Sequence, residues 1–284
     1  MSIVALITPF DNEGKVDLDS LQRLIQWHIE EGTDGLVLCG STGEGSLLST
    51  EEKCAIFQRA AEVGKGKISL IAGTGTHQTR ESRALTEKAK KYGMDSCLII
   101  VPYYLLPTSE GCYQHFAEIA KVDLPMILYH HPGRTGVKLT SDATCRICEI
   151  PQVVAIKDAS NDLNLATEIL TKTKTPLYSG NDSVALPYFS IGAKGVISIV
   201  GNVIPRQWKE FIELAQKNRG REKFFELYPL CKAMVLETNP QCVKYGVSLL
   251  GKCSSKMRLP LMEPQEEVRE TIRANLLTAE LALQ

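Results

Sequence analysis

Short apolar runs alternate along the first two thirds of the chain with longer segments in which apolar residues recur at helical spacing. An apolar, β-branched run of about four to eight residues between turn residues is typical of a strand buried on both faces, and a 3.6-residue period predicts an amphipathic helix. The pattern predicts strands at 3–7, 35–39, 68–72, 97–101, 125–129, 153–157, 177–180 and 195–200. The clearest helices between them are predicted at 18–29, from residue 50, at 79–92, 110–121, 142–149 and 206–218.

Regular alternation of strands and helices requires a parallel sheet, because each helix returns the chain to the same edge. About eight such units in roughly 220 residues favour a closed barrel over an open doubly wound sheet. We therefore predict an α/β protein whose residues 1–218 form a (β/α)8 TIM barrel, the catalytic domain.

The strand pattern stops after residue 218. Segments 222–236, 240–250 and 266–281 show amphipathic helical periodicity. We expect residues 219–284 to form a C-terminal helical domain that packs on the barrel, a kind of extension that often carries an oligomer interface.

The sixth predicted strand, Val153-Val154-Ala155-Ile156, ends in a lysine, Lys157. In an α/β barrel this end of a strand faces the active site, and apolar neighbours lower the pKa of an amine from ~10.4 toward neutrality. Such an amine is a nucleophile for carbonyl carbon. The alternative is that Lys157 only ends the strand and extends its ammonium into water.

Other polar groups follow the predicted strands and converge on the same mouth of the barrel. They are Ser41, Thr42, Glu44, Tyr103, Tyr104, Tyr129, Arg134, the segment Ser179-Gly180-Asn181-Asp182, and Ile197. Phenols and hydroxyls transfer protons, and an arginine fits a carboxylate. The glycine-rich loop 40–45 is also compatible with phosphate binding, but the chain has no lysine or arginine beside it and no second glycine-rich loop after strands seven and eight.

The composition favours small-molecule chemistry. With 44% hydrophobic and 23% charged residues, a net charge of −1 and a pI near 6.5, the chain has no basic field for nucleic acid or a membrane surface. The amino terminus does not resemble a signal peptide, and no apolar run approaches the ~18 residues of a membrane span, so we expect a cytoplasmic protein.

Cysteine and histidine pairs do not predict a metal site. The nine cysteines are an odd number in apolar contexts, which suits reduced thiols. Cys145 and Cys148 have the spacing of a redox or zinc pair, but no second pair accompanies them. Adjacent residues in a strand point to opposite faces, so His130 and His131 are not expected to chelate one ion.

Several segments together form a specific combination of motifs. They are Ala5-Leu6-Ile7-Thr8-Pro9-Phe10, Gly40-Ser41-Thr42-Gly43-Glu44, Pro102-Tyr103-Tyr104, Tyr129 to Pro132 with Gly133-Arg134-Thr135-Gly136, Ile156-Lys157-Asp158, Ser179-Gly180-Asn181-Asp182 and Gly195-Val196-Ile197-Ser198. In these motifs the chain resembles, over almost its whole length, the pyruvate-dependent class I aldolase and lyase superfamily and, within it, the 4-hydroxy-tetrahydrodipicolinate synthase (dihydrodipicolinate synthase) family.

The resemblance implies a chemistry without an external cofactor. Lys157 would form a Schiff base with pyruvate, while Thr42, the Ile197 backbone and Gly180 bind substrate. Tyr129 would move protons at the imine and enamine, and the enamine would attack the aldehyde of L-aspartate 4-semialdehyde. The product would be 4-hydroxy-tetrahydrodipicolinate, in the first committed step of diaminopimelate and lysine biosynthesis.

The resemblance also implies an assembly. In family members the residue at Tyr104 enters the neighbouring subunit's site and forms a proton relay with Tyr129 and a hydroxyl, here Ser41. Arg134 would bind the carboxylate of the second substrate. The family is usually a homotetramer built from two tight dimers.

Two positions depart from the family pattern. The relay hydroxyl is commonly a threonine, and Ser41 keeps the oxygen but lacks the methyl group that restricts the rotamer. His130 and His131 replace an asparagine and an aliphatic residue, so packing beneath the second-substrate pocket is expected to differ.

A regulatory cleft departs further. Feedback-sensitive relatives bind lysine at a dimer cleft through a tyrosine, a glutamate, an asparagine and histidines. Tyr103 and Glu81 remain here, whereas His77 takes the asparagine position and Thr50 and Lys53 take those of the histidines. Two ammonium groups ~4 to 6 Å apart at an effective dielectric near 20 repel by about 3 kcal/mol, which weakens binding ~100-fold. We therefore predict weak inhibition by lysine.

Two alternative functions remain. A sister aldolase, such as N-acetylneuraminate lyase or a 2-keto-3-deoxy sugar acid aldolase, would share the lysine and the first tyrosine. Arg134 in its Gly-Arg-Thr-Gly setting and the Tyr103-Tyr104 doublet favour the synthase. A barrel that only binds a ligand would not require the lysine, tyrosines and arginine together.

Overall fold

Within residues 1–279, which the computed structural model describes, eight parallel strands close into a barrel. They are β1 (Ser2–Ala5), β2 (Gly35–Leu38), β3 (Ser69–Gly73), β4 (Ser96–Ile100), β5 (Met126–His130), β6 (Val153–Asp158), β7 (Leu177–Ser179) and β8 (Gly195–Ser198). The barrel closes where β1 pairs with β8, with Ile3 opposite Ile197. The predicted TIM barrel is confirmed.

Helices follow the strands and continue beyond the barrel. They are α1 (Leu18–Glu30), α2 (Thr50–Gly64), α3 (Thr79–Lys91), α4 (Ser109–Ala120), α5 (Pro132–Thr135), α6 (Ser141–Cys148), α7 (Leu163–Lys172), α8 (Ala185–Ser190), α9 (Pro205–Gln216), α10 (Arg221–Ala233), α11 (Gln241–Leu249) and α12 (Glu266–Thr278). The short α5 was not predicted, and the end of the helix predicted at 266–281 lies outside the described residues. No helix of the described chain is long and apolar enough to cross a membrane.

Local sequence signals start several of these helices. The Asp17 carboxylate accepts a hydrogen bond from the Ser20 N–H at 2.9 Å at the start of α1. Ser49 and Glu52 form a capping box at the start of α2, with bonds of 2.8 and 3.2 Å. Such caps satisfy backbone N–H groups that the first helical turn leaves unpaired. They therefore fix the points at which the loops of the barrel mouth become helix.

The core has two layers because side chains of each strand alternate between the barrel interior and the surrounding helices. Interior residues include Ile3, Val37, Leu98, Ile127 and Ile197. The outer layer lies between strands and helices and contains large side chains such as Phe57, Phe116, Trp208 and Phe211. Burial on both faces explains why the strands are continuous apolar runs.

Candidate active site

A cavity of about 300 Å³ opens at the carboxyl ends of β2 to β5. Three of the residues predicted to be catalytic or substrate-binding line it: Ser41, Tyr129 and Arg134. Other residues of its wall include Cys39, Glu44, Lys53, Thr76, Tyr103, Asn239 and Leu261. The cavity therefore contains proton-transferring hydroxyls and a carboxylate-binding guanidinium, which together suit a small anionic substrate.

Lys157 lies on β6 directly opposite Tyr129 on β5. It does not line the cavity, but its Nζ is 4.2 Å from the centre of the Tyr129 ring, which does. Burial lowers the pKa of Lys157 to about 7; the carboxylate of Asp182 opposes this shift, and the charge of Arg134 adds to it. A large fraction of the amine is therefore unprotonated at neutral pH, as a nucleophile for a carbonyl requires.

Asp182 is a buried acid whose charge acts on this lysine. Its Oδ2 accepts hydrogen bonds from the Val200 N–H at 2.7 Å and the Ile199 N–H at 2.9 Å. Its Oδ1 is buried and has no hydrogen-bond partner within residues 1–279. Burial raises the pKa of Asp182, and these N–H groups and Lys157 lower it. The sequence placed Asp182 at a strand end but assigned it no role.

Tyr129 is a phenol held in its protonated form. Burial raises its pKa to about 12, against the opposing effects of the Arg134 charge and an interaction with the Ser41 side chain. A phenol with this pKa donates a hydrogen bond at neutral pH and can return a proton to a basic imine or enamine carbon. The structure thus brings Ser41, Tyr129 and Lys157 together.

Ser41 and Thr42 are presented by the tight loop 40–45 after β2. The Thr8 hydroxyl donates to the carbonyl of Gly43 at 2.7 Å. A Cβ on Gly45 would lie 1.9 Å from the Cys39 carbonyl oxygen, so only glycine fits there. The loop is therefore a rigid turn that fixes both hydroxyls.

Thr42 and Arg134 are joined by a residue that the sequence analysis missed. The Nη2 of Arg134 donates to the backbone carbonyl of Asn239 at 2.9 Å, and the Asn239 side-chain Nδ2 donates to the Thr42 hydroxyl at 3.0 Å. Asn239 precedes α11, far from the barrel in sequence. The polar segment Thr238-Asn239 between two predicted helices was the only available signal.

Gly180 and Ile197 lie at the same end of the barrel without lining the cavity. Ile197 on β8 is fully buried in the barrel interior. The Gly180 N–H donates to the carbonyl of Asp158 at 2.7 Å, and a Cβ there would lie 2.7 Å from that of Ala159. A larger side chain at Gly180 would therefore separate β6 from β7.

Tyr104, another predicted catalytic residue, does not line the cavity of its own chain. It is 86% exposed and has a left-handed backbone, with φ 71°. The next two residues, Leu105 and Leu106, are also exposed, at 62% and 64%. The role predicted for Tyr104 in a neighbouring subunit's site stays a prediction.

The two adjacent histidines contact different neighbours. The Nε2 of His130 accepts the Leu139 N–H at 3.2 Å, so a neutral ring carries its proton on Nδ1, 3.4 Å from Asp158 Oδ1. That second contact lacks the alignment of a hydrogen bond and is chiefly electrostatic. The His131 ring packs edge-on against Tyr129 at 5.8 Å, and burial lowers its pKa to about 4.

Part of the predicted regulatory cleft adjoins the cavity. Lys53, on α2, and Tyr103 both line it, and Lys53 is 7% exposed. The rings of His77 and Tyr103 lie 5.2 Å apart. Burial raises the pKa of Tyr103, and the charge of Glu81 contributes to that shift. The cleft thus carries a lysine side chain on its wall.

The chain resembles known proteins over its full length. Residues 1–279 match the model of the dihydrodipicolinate synthetase family. A 4-hydroxy-tetrahydrodipicolinate synthase of Thiobacillus denitrificans is 42% identical, with 99% of this chain and 97% of the relative covered. The synthase of Pseudomonas aeruginosa is 40% identical over 96% and 95% of the two chains. The crystal structure of dihydrodipicolinate synthase from Aquifex aeolicus superposes with a TM-score of 0.97 at 40% identity, covering 100% of this chain and 99% of that one.

Proposed function

This chain belongs to the dihydrodipicolinate synthetase family, and we propose that its barrel-mouth cavity catalyses the 4-hydroxy-tetrahydrodipicolinate synthase reaction. This lyase of the class I aldolase type condenses pyruvate with L-aspartate 4-semialdehyde to 4-hydroxy-tetrahydrodipicolinate, the first committed step of diaminopimelate and lysine biosynthesis. The observation that carries the proposal is a buried lysine with a pKa of about 7 that contacts a phenol on the cavity wall.

Covalent chemistry begins at Lys157. Its neutral amine attacks C2 of pyruvate, and the carbinolamine loses water to give a Schiff base, so no other cofactor enters the proposal. Loss of a methyl proton gives the enamine, whose carbon attacks the aldehyde of the second substrate. Tyr129, in contact with the lysine and protonated at neutral pH, donates and recovers the protons of these steps.

Separate groups hold the two substrates. We assign the pyruvate carboxylate to Thr42 and to backbone at Ile197 and Gly180, which share one end of the barrel with Lys157. Arg134 uses one nitrogen on Asn239 and has further N–H donors for the carboxylate of aspartate semialdehyde. A guanidinium holds a carboxylate with two parallel bonds, which a lysine does not reproduce.

The proton relay and the assembly are proposed together. Ser41 interacts with Tyr129 within one chain, whereas Tyr104 is exposed beside two exposed leucines. An apolar patch of this kind suits an interface between subunits, and Tyr104 would enter the partner's cavity there. We propose a homotetramer made of two such dimers.

We further propose a division of the chain and a location. Residues 1–218 would form the catalytic barrel and 219–284 the helical extension, since α9 ends at Gln216 and α10 begins at Arg221. All nine cysteines are free thiols, which suits a reducing compartment such as the cytoplasm.

The test is a coupled assay with pyruvate and aspartate semialdehyde, run beside an assay of N-acetylneuraminate cleavage. Turnover of the first pair and none of the sugar acid is expected. Cleavage of N-acetylneuraminate without the condensation would support the sister aldolase instead. A chain that neither turns over substrate nor gains mass when treated with pyruvate and borohydride would be a binding protein.

A further inference from the structure

A segment of the helical extension, residues 237–258, contacts the loop 40–45 at three points. The Asn239 side chain donates to the Thr42 hydroxyl at 3.0 Å. The Lys244 ammonium donates to Glu44 Oε1 at 2.6 Å, and the Arg258 N–H donates to Glu44 Oε2 at 3.1 Å. Because this loop presents Ser41 and Thr42, the extension reaches the substrate-binding end of the barrel.

The Lys244–Glu44 pair anchors this contact. Both side chains are fully buried, and the ammonium also lies 4.0 Å from the centre of the Phe10 ring. Both carboxylate oxygens of Glu44 have a donor, so the charges are paired and hydrogen-bonded as burial requires. Since Lys244 is five residues beyond Asn239, the pair holds the start of α11 against the loop.

The direction of the Asn239–Thr42 hydrogen bond has a chemical consequence. The amide is the donor, so it occupies a lone pair of the Thr42 oxygen and leaves the hydroxyl proton free to donate elsewhere. A carboxylate needs such donors. Thr42 is 3% exposed and β-branched, so its side chain has little freedom to adopt another rotamer.

Asn239 contacts the two predicted substrate-binding groups with different atoms. Its side chain holds Thr42, whereas its backbone carbonyl accepts from Arg134. A substitution of the side chain therefore removes the first contact and keeps the second. This separation allows the two effects to be measured independently.

We propose that Asn239 is a positioning residue for pyruvate: its side-chain amide directs the Thr42 hydroxyl proton toward the pyruvate carboxylate, and the buried Lys244–Glu44 pair keeps the amide in place. The inference rests on the proposed function and adds a residue of the helical extension to it. Loss of one such hydrogen bond is expected to weaken pyruvate binding about tenfold.

The experiment is a double-mutant cycle of Asn239→Ala and Thr42→Val in the full chain. Asn239→Ala should raise the KM for pyruvate about tenfold and leave the KM for aspartate semialdehyde unchanged. In the Thr42→Val background, Asn239→Ala should have no further effect on pyruvate, because the hydroxyl through which it acts is gone. Asn164→Ala, on the exposed face of α7, is the matched control and should change neither KM.

Three results would overturn the inference: an unchanged pyruvate KM in Asn239→Ala, an equal rise for both substrates, or additive effects in the cycle. Thermal melting of each variant identifies a misfolded protein. If Asn239→Ala misfolds, Asn239→Ser, whose side chain is polar but smaller than that of asparagine, replaces it. If the wild-type chain does not use aspartate semialdehyde, the proposed function fails. In that case the same variants are compared by borohydride trapping, and the quantity measured is the pyruvate concentration at which trapping is half-saturated.

Discussion

Two residue pairs lie side by side on β5 and β6. The inner pair, Tyr129 and Lys157, faces the barrel interior, and the outer pair, His130 and Asp158, faces the surrounding helices. Tyr129 is opposite Lys157, and in the next register His130 is opposite Asp158. The inner lysine has no hydrogen bond from its ammonium within the described chain and contacts the phenol ring at 4.2 Å. The outer acid accepts the Tyr188 hydroxyl at 2.6 Å and the Ser160 hydroxyl at 3.0 Å.

The contrast between the two pairs distinguishes a reactive buried group from a structural one. All four residues are buried, so burial alone does not mark a reactive group. A buried polar group whose hydrogen bonds are made within the chain stabilises the fold, whereas a buried amine that makes no hydrogen bond remains available to a substrate. On this basis we propose that the inner face of β5 and β6 performs the chemistry and that the outer face holds the two strands in register.

Substitution of the inner lysine should give the largest change in activity. Lys157→Ala is expected to lose at least ~10²-fold in kcat, because the covalent route is removed. The fold should survive, since the ammonium makes no hydrogen bond that other groups depend on. Steady-state kinetics and thermal melting measure the two effects. A variant that keeps most of its kcat would place the nucleophile elsewhere.

Substitution of Arg134, on the cavity wall, tests whether the cavity also selects the second substrate. Arg134→Ala should raise the KM for aspartate semialdehyde on the order of 10²-fold, and that for pyruvate much less, because only the second substrate's carboxylate is expected to bind it. Arg134→Lys should recover little, as an ammonium lacks the bidentate geometry. Equal effects on both substrates would indicate a structural role instead.

The relay hydroxyl should have a smaller effect on kcat. Ser41→Ala is expected to lower kcat by about 10- to 10²-fold at nearly unchanged KM, because Tyr129 loses the group that passes it protons. Ser41→Thr keeps the oxygen and should remain active. Tyr104→Phe should behave like Ser41→Ala if the partner subunit completes the relay. An unchanged rate in Ser41→Ala would mean that Thr42 or water carries the proton.

Substitutions in the outer pair should lower stability rather than activity. His130→Leu is expected to cost about 1–3 kcal/mol of unfolding free energy, because the Leu139 N–H loses its acceptor and the buried Asp158 loses a polar neighbour. His130→Asn, which keeps a polar side chain, should cost less. Urea unfolding measures both, and kcat per folded molecule should change only a few-fold. A large fall in kcat at unchanged stability would contradict the division between the two faces.

The smallest effect is expected at the predicted regulatory cleft. Lysine should inhibit weakly, with half-inhibition above about 1 mM, because the Lys53 ammonium on the cavity wall repels the ligand's own charge. Lys53→Ala should make the enzyme more sensitive, and the coupled assay measures this directly. Half-inhibition below that concentration in the wild-type protein would show that Glu81 offsets the repulsion.

The sequence predicted the parts of the fold and site that depend on residues close together along the chain. The barrel follows from short apolar runs that alternate with amphipathic segments, and each strand end brings its polar residues to one mouth. The four-residue helix α5, which carries Arg134, is too short to show a period. Asn239 and Lys244 could not be placed, because their partners Thr42 and Glu44 are 197 and 200 positions away.

The two buried lysines Lys157 and Lys244 show the same limit. Lys157 was a candidate because it ends an apolar strand. Its low pKa, however, depends also on the charge of Arg134, which lowers it, and on that of Asp182, which raises it. The sequence does not show that these two residues lie near Lys157 in the fold. Lys244 sits among apolar residues of α11, and this position was the only sign that it is buried.

The most direct test of the account is borohydride trapping in the presence of pyruvate, followed by peptide mapping of the adduct. The account predicts a single pyruvate-derived adduct on Lys157, and its rate of formation should rise as the pH passes upward through about 7, because only the unprotonated amine attacks the carbonyl. An adduct on Lys53, Lys244 or another lysine, or no adduct at all, would contradict it.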